Sequence, residues 1–114
     1  MKIHIIREPA TEQQISEMLE ELRTYIKLAV DVERGILAGG GEYHADAEGP
    51  LLRDGSRQDS VWGADWHPDT HIVKFEAMIN IRPRLGNRSM EIFSRPLRER
   101  VEAIVRRLLE VKAQ

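Results

Sequence analysis

The segment from Ile79 to Ile92 contains the side chains best suited to hold a ligand. The candidate ligand-binding residues are Arg82, Arg84, Asn87 and Arg88. Arginine binds carboxylates and phosphates through paired N–H donors, and asparagine supplies both a donor and an acceptor. Pro83 ends strand pairing because it has no N–H, and Gly86 permits a turn. We therefore predict that this loop, with the polar face of a sheet, binds a small anionic ligand or a protein partner.

The same arginines have an alternative role that needs no ligand. Acidic residues of the same predicted sheet face or its edges could pair with them: Asp31, Glu33, Glu42, Glu76 and Glu91. Opposite charges on adjacent strands stabilise each other. A dense network of this kind would be structural, or would form part of a dimer contact.

A second group of residues has the side chains of a metal site. Glu42, His44 and Asp46 alternate, so on an extended strand they would share one face. Asp65 from a neighbouring hairpin would add a further carboxylate. One imidazole with carboxylates can hold a divalent metal, which makes a metal-assisted hydrolase the enzyme alternative. No H-E-x-x-H motif is present, so the sequence leaves open both this site and whether the protein is an enzyme.

Two amphipathic helices are the clearest elements around these residues. Thr11 is the predicted N-cap of the first helix, with Gln14 in the capping-box position. Ser94 is the predicted N-cap of the second helix, and Pro96 lies in its first turn. Apolar residues recur with the helical period at Ile15, Met18, Leu19 and Leu22, and at Leu97, Val101, Ile104, Val105, Leu108 and Leu109. Each helix therefore has one stripe to bury.

Between the helices, the hydrophobic period changes to two, which indicates strands. These strands are predicted at residues 26–32, 36–38, 60–66, 73–82 and 90–93. Another strand is predicted before the first helix, at residues 2–6. Gly35 supplies the positive φ of a tight hairpin turn. The triplet Gly39–Gly41 indicates a bulge or bend, or else a place where a ligand approaches the backbone.

Together these elements predict an α+β fold. The expected architecture is a two-layer sandwich of a mainly antiparallel sheet with about four to five strands and two helices on one face. The opposite face would be polar and either open to solvent or closed by a partner: it would carry Lys27, Asp31, Glu33, Lys74, Glu76, Asn80 and Arg82. A chain of 114 residues is the size of one domain, so residues 1–114 are expected to form a single unit.

Three blocks of this sequence resemble the conserved blocks of a small, uncharacterised prokaryotic family. They are residues 32–42 (VERGILAGGGE), residues 62–66 (WGADW) and residues 80–92 (NIRPRLGNRSMEI). The resemblance covers most of the chain. It implies a domain of unknown function and transfers no catalytic residue to this sequence.

Composition narrows the class of protein further. The net charge of −2 argues against a protein that coats nucleic acid, because such binding requires many phosphates to be neutralised. The absence of cysteine excludes disulfides, thiolate metal sites and cysteine nucleophiles. No apolar run is long enough for a signal peptide or a membrane span. We expect a cytoplasmic homo-oligomer with no membrane partner and no cofactor, unless a divalent metal is bound.

Overall fold

A computed structural model describes residues 1–110 and contains a five-stranded antiparallel sheet. The strands are β1 (His4–Ile6), β2 (Ile26–Asp31), β3 (Ile36–Gly39), β4 (Val61–His67) and β5 (Ile72–Lys74). The helices are α1 (Glu12–Met18), α2 (His44–Arg53) and α3 (Arg95–Leu109). Across the sheet the strands lie in the order β1-β3-β2-β4-β5. The predicted α+β class and antiparallel sheet are thus confirmed.

Helices α1 and α3 cover one face of the sheet, as the apolar stripes predict. The Thr11 hydroxyl accepts the N–H of Gln14, and the Gln14 side chain accepts the N–H of Thr11. The Ser94 hydroxyl accepts the N–H of Leu97 at the start of α3. Between the helices and the sheet lies the larger core, which includes Ile6, Met18, Leu28, Trp62, Trp66, Val101 and Leu108.

Helix α2 covers part of the opposite face, where the sequence predicted a strand around Glu42, His44 and Asp46. Ala47 and Leu51, four residues apart, pack on the small residues of β2 and β3 and form a second core. The polar alternation before them was therefore misleading, because the packed stripe begins only at Ala47. Helix α2 also contains a glycine and a proline, which have the poorest helix propensities, so local signals for it are weak.

The chain from Phe75 to Phe93 is irregular, whereas the sequence predicted two strands there. Strand β5 ends at Lys74, and only a single bridge joins Glu76 to Glu91. Short 3-10 helices follow at Met78–Asn80 and Pro83–Leu85. Asn80, which the sequence placed on the polar strand face, is instead buried in the protein. No helix within residues 1–110 combines the length and apolar character that crossing a bilayer requires.

Asp54, the residue that ends α2, ties the helix to two other parts of the fold. Its carboxylate accepts hydrogen bonds from Arg7, at 2.6 Å, and from Arg34, at 2.7 Å. These hydrogen bonds lower the pKa of Asp54 from 3.8 to about 2. The stabilisation is therefore present above the unfolded-state pKa and is lost as the pH falls through the folded-state value.

Replacing Asp54 with asparagine should flatten the acid limb of the stability curve. In the wild type, the free energy of unfolding should fall between about pH 4 and pH 2 in part because Asp54 takes up a proton on unfolding. Urea denaturation across this pH range measures that slope for Asp54→Asn. Asp69→Asn, at an exposed position with no ion pair among the described residues, is the control and should keep the wild-type slope. An unchanged slope in Asp54→Asn would show that the two arginines do not hold this carboxylate.

Candidate functional site

A cleft of about 610 Å³ lies between the start of α2 and the irregular segment that follows β5. Its floor is formed by β2 and β4 on the sheet face that α2 only partly covers. The polar residues that line it are Lys27, Tyr43, His44, Asp65 and Glu76. Lys27 and Glu76 belong to the polar face that the sequence predicted. Helix α2 and the irregular segment thus convert part of a flat polar face into a concave site.

His44 and Asp65 form the most enclosed polar pair of the cleft. The Nε2 atom of His44 lies 2.7 Å from Oδ1 of Asp65, and the two side chains are only 11% and 14% exposed. His44 is the first residue of α2. Asp65 faces the same cleft because it alternates on β4 with Ala64 and Trp66, which face the larger core. The helix start and the strand therefore bring together two residues that are 21 positions apart in the chain.

Lys27 brings a positive charge to the floor of the cleft. It lies on β2 directly opposite Asp65 of β4 in the antiparallel register. Its ammonium group is 5.6 Å from the centre of the Tyr43 ring, at a distance typical of a cation–π contact. Within residues 1–110, it has no carboxylate within 4.0 Å. The ammonium group is therefore available to a polar group in the cleft.

One wall of the cleft is apolar and largely open to solvent. Met78 is 73% exposed and Met90 is 39% exposed, although both are large hydrophobic residues. Ala45, Ala77 and Ile79 extend the same lining. Methionine side chains adapt their shape to what they contact, which is why they recur at binding surfaces. The cleft therefore joins a charged floor to a deformable apolar wall.

The four residues proposed for a metal site do not converge. His44 and Asp65 meet, but Asp46 accepts hydrogen bonds from the backbone N–H groups of Glu42 and Tyr43. Glu42 itself is exposed. Across residues 1–110, no group of three or more histidine, cysteine, aspartate or glutamate side chains is arranged to hold a metal ion. The segment predicted to carry Glu42, His44 and Asp46 on one strand face instead contains the start of α2.

Two of the loop arginines are already paired with acids. Arg82 donates to Glu48 of α2 at 2.9 Å and lies over the ring of Trp62, 5.2 Å from its centre. Arg84 donates twice to Asp59, at 2.6 and 3.2 Å. The pKa of Asp59 is lowered by its hydrogen bond to Arg84. Both partners, Glu48 and Asp59, differ from the five acids that the sequence suggested.

The other two loop residues have different surroundings. The amide of Asn87 is buried and donates to the backbone carbonyls of Asn80, Ser89 and Glu91, so it maintains the loop's shape. Arg88 is exposed, with no hydrogen bond or ion pair to another described residue. Of the four predicted ligand-binding side chains, two are thus paired with acids, one is buried and one is exposed.

Sequence reasoning did not single out Lys27, Met78 and Met90 as functional residues. A signal for Lys27 was present, since it alternates with buried residues on β2 and so had to lie on the polar face. Met78 interrupts the alternation of the predicted long strand, which is a weak sign of irregular structure. No local pattern indicates that Met78 and Met90 would line a cleft with α2.

The comparisons with known proteins concern the family only. No curated protein and no solved structure matches this chain. A family described as "Protein of unknown function (DUF5674)" matches residues 4–108, which is nearly the whole chain. That match includes all three sequence blocks and every residue of the cleft. The chain therefore belongs to the DUF5674 family.

Proposed function

We propose that the cleft binds a small organic ligand with an oxygen-bearing polar group on an apolar body. The observation that carries this proposal is the enclosed His44–Asp65 pair beside a wall of exposed methionines. Ligand sites are usually concave and mainly apolar, with a few polar groups that fix orientation. A volume of about 610 Å³ falls within their usual range of roughly 300 to 1,000 Å³.

The polar end of the ligand is best matched by an acceptor oxygen, as in a carbonyl or carboxylate group. Lys27 offers an ammonium group that no carboxylate of the described chain neutralises within 4.0 Å. Asp65 and Glu76 also line the cleft, so the site is not strongly cationic. A carbonyl oxygen or a single carboxylate suits this balance better than a polyphosphate does. We therefore propose Lys27, rather than the arginine loop, as the residue that contacts the polar end of the ligand.

The apolar body would lie against Met78 and Met90. When the ligand covers these exposed side chains, apolar surface is removed from water. Each Å² buried stabilises the complex by roughly 25 cal/mol. Sulfur also makes favourable contacts with aromatic rings. An aromatic or branched aliphatic group therefore fits the wall.

The proposal predicts that 1-anilinonaphthalene-8-sulfonate, an aromatic dye with an oxyanion, binds the cleft. Met78→Glu should raise the dye's Kd at least about tenfold, because it places a carboxylate on the apolar wall close to Glu76. Fluorescence titration measures the Kd. In a ¹H–¹⁵N NMR titration of the wild type, the largest shifts should fall at Ala45 and Met78.

Ile72→Glu is the matched control, because Ile72 is also an exposed apolar residue but lies on β5 outside the cleft. It should leave the dye's Kd unchanged. Near-UV circular dichroism checks that each variant keeps its native packing, since this dye also binds partly unfolded proteins. Equal Kd values for the wild type and Met78→Glu would overturn the proposed site.

A further inference from the structure

His44 has the surroundings of a proton acceptor. A carboxylate can only accept a hydrogen bond, so the contact with Asp65 places the imidazole hydrogen of neutral His44 on Nε2. The other nitrogen, Nδ1, then carries the lone pair, and it has no hydrogen-bond partner among the described residues. An imidazole oriented by a carboxylate, with its second nitrogen free, is the arrangement that general bases use.

Asp65 is firmly placed for this orienting role. It lies in the middle of β4, with Lys27 opposite it on β2 and Lys74 opposite it on β5. Both cross-strand neighbours are cations, which favour a negative charge between them. Asp65 thus acts as a positioning residue for His44, and the sheet register determines where its carboxylate lies.

Lys27 supplies the second component of a reaction site. Its ammonium group shares the cleft with His44 and has no carboxylate within 4.0 Å among residues 1–110. A preorganised cation beside a carbonyl oxygen stabilises the negative charge that develops when the carbonyl carbon is attacked. In the described chain, no serine, threonine or cysteine lines the cleft, so the attacking group would be water.

We infer that the cleft hydrolyses small carboxylic esters, with His44 as the general base and Lys27 as the stabiliser of the oxyanion. This inference rests on the proposed function, because the ester must first bind in the cleft. Nδ1 of His44 takes a proton from water as the water oxygen bonds to the carbonyl carbon, and the carbonyl electron pair moves to the oxygen beside Lys27. Collapse of this intermediate breaks the bond to the leaving oxygen, which takes the proton from His44. The products are a carboxylic acid and an alcohol.

Hydrolysis of 4-nitrophenyl butyrate by the full-length protein tests this inference. The release of 4-nitrophenolate gives kcat and KM. His44→Gln should lower kcat/KM by about a hundredfold or more, the usual contribution of a general base. Lys27→Met should lower kcat more than it raises KM, because the oxyanion exists only after attack. His67→Gln is the matched control, since His67 stacks on Tyr25 outside the cleft and should react at the wild-type rate.

The pH profile separates a reacting histidine from a structural one. The wild-type rate should rise with pH, because only the neutral imidazole accepts a proton, and His44→Gln should lack that rise. Asp65→Asn should lower kcat and displace the rise, because it removes the carboxylate that orients His44. The titratable side chains that line the cleft with His44 are Lys27, Tyr43, Asp65 and Glu76. If His44→Gln does not fold, the kcat values of Lys27→Met and Asp65→Asn test the inference in its place.

Two outcomes would overturn the inference: a wild-type rate no higher than that of buffer, or equal rates in the wild type and the cleft variants. The dye titration distinguishes this failure from failure of the proposed function. If the wild type binds the dye at the cleft but does not hydrolyse the ester, ligand binding stands and catalysis falls. If neither occurs, both proposals fall.

Discussion

Asn80→Ala should lower the free energy of unfolding by about 3 kcal/mol, since it leaves several buried polar groups without partners. Asn80 is fully buried. Its amide oxygen accepts the N–H of Gly63, and its amide nitrogen donates to the carbonyls of Gly63, Phe75 and Met90. One side chain thus joins β4 to both ends of the irregular segment. Urea denaturation followed by circular dichroism measures the loss.

Asn80→Asp separates this hydrogen bonding from simple packing. Aspartate has nearly the same volume but replaces the donor nitrogen with an oxygen that would face three carbonyl groups. It should therefore destabilise the protein at least as much as alanine does. Gln13→Ala, which removes an exposed amide from α1, is the control and should change stability by no more than about 0.5 kcal/mol. A fully stable Asn80→Asp variant would contradict the assigned donor role.

Gly40→Ala should lower the free energy of unfolding by about 3 kcal/mol or prevent folding, because both its backbone and its surroundings exclude a side chain. Its φ is +119°, and a Cβ atom there would lie 2.1 Å from the carbonyl oxygen of Lys2. That oxygen belongs to the backbone next to β1, so it cannot simply rotate away. The Gly39–Gly41 triplet is therefore a bend against the protein's own chain.

Gly55→Ala is a close control for the cost of backbone strain alone. Gly55 has a similar φ of +106°, but no atom lies within 4 Å of the position that a Cβ would take. Its replacement should cost about 1 to 2 kcal/mol through strain. The additional loss in Gly40→Ala then measures the collision with Lys2. Equal losses in urea denaturation of the two variants would show that the β1 backbone gives way.

Elements whose signals lie close together in the sequence were predicted well. The capping residues Thr11 and Ser94 and the turn residue Gly35 act on groups within a few residues of themselves. The apolar stripe of α3 likewise has only one face to bury, whereas α1 ends at Met18, before Leu22 of its predicted stripe. Local chemistry is sufficient for such elements, because each is stabilised by contacts that its own residues specify.

Elements that depend on distant contacts were not predictable in this way. Helix α2 is stabilised because Ala47 and Leu51 pack on β2 and β3, where Ala29 and Ala38 are small. The segment after β5 leaves the sheet because Asn80 bonds to Gly63, which is 17 residues away. Packing and buried hydrogen bonds override local propensity in both places.

The sequence by itself determined the α+β class, two helix starts, the hairpin at Gly35 and the residue types available for chemistry. Only the tertiary structure decided which of those residues meet. It paired Arg82 with Glu48 and Arg84 with Asp59, and it placed His44 beside Asp65 in the cleft that Lys27 also lines. The physical reason is that charge pairing requires distances of a few Å, and those distances are set by how segments far apart in the sequence pack together.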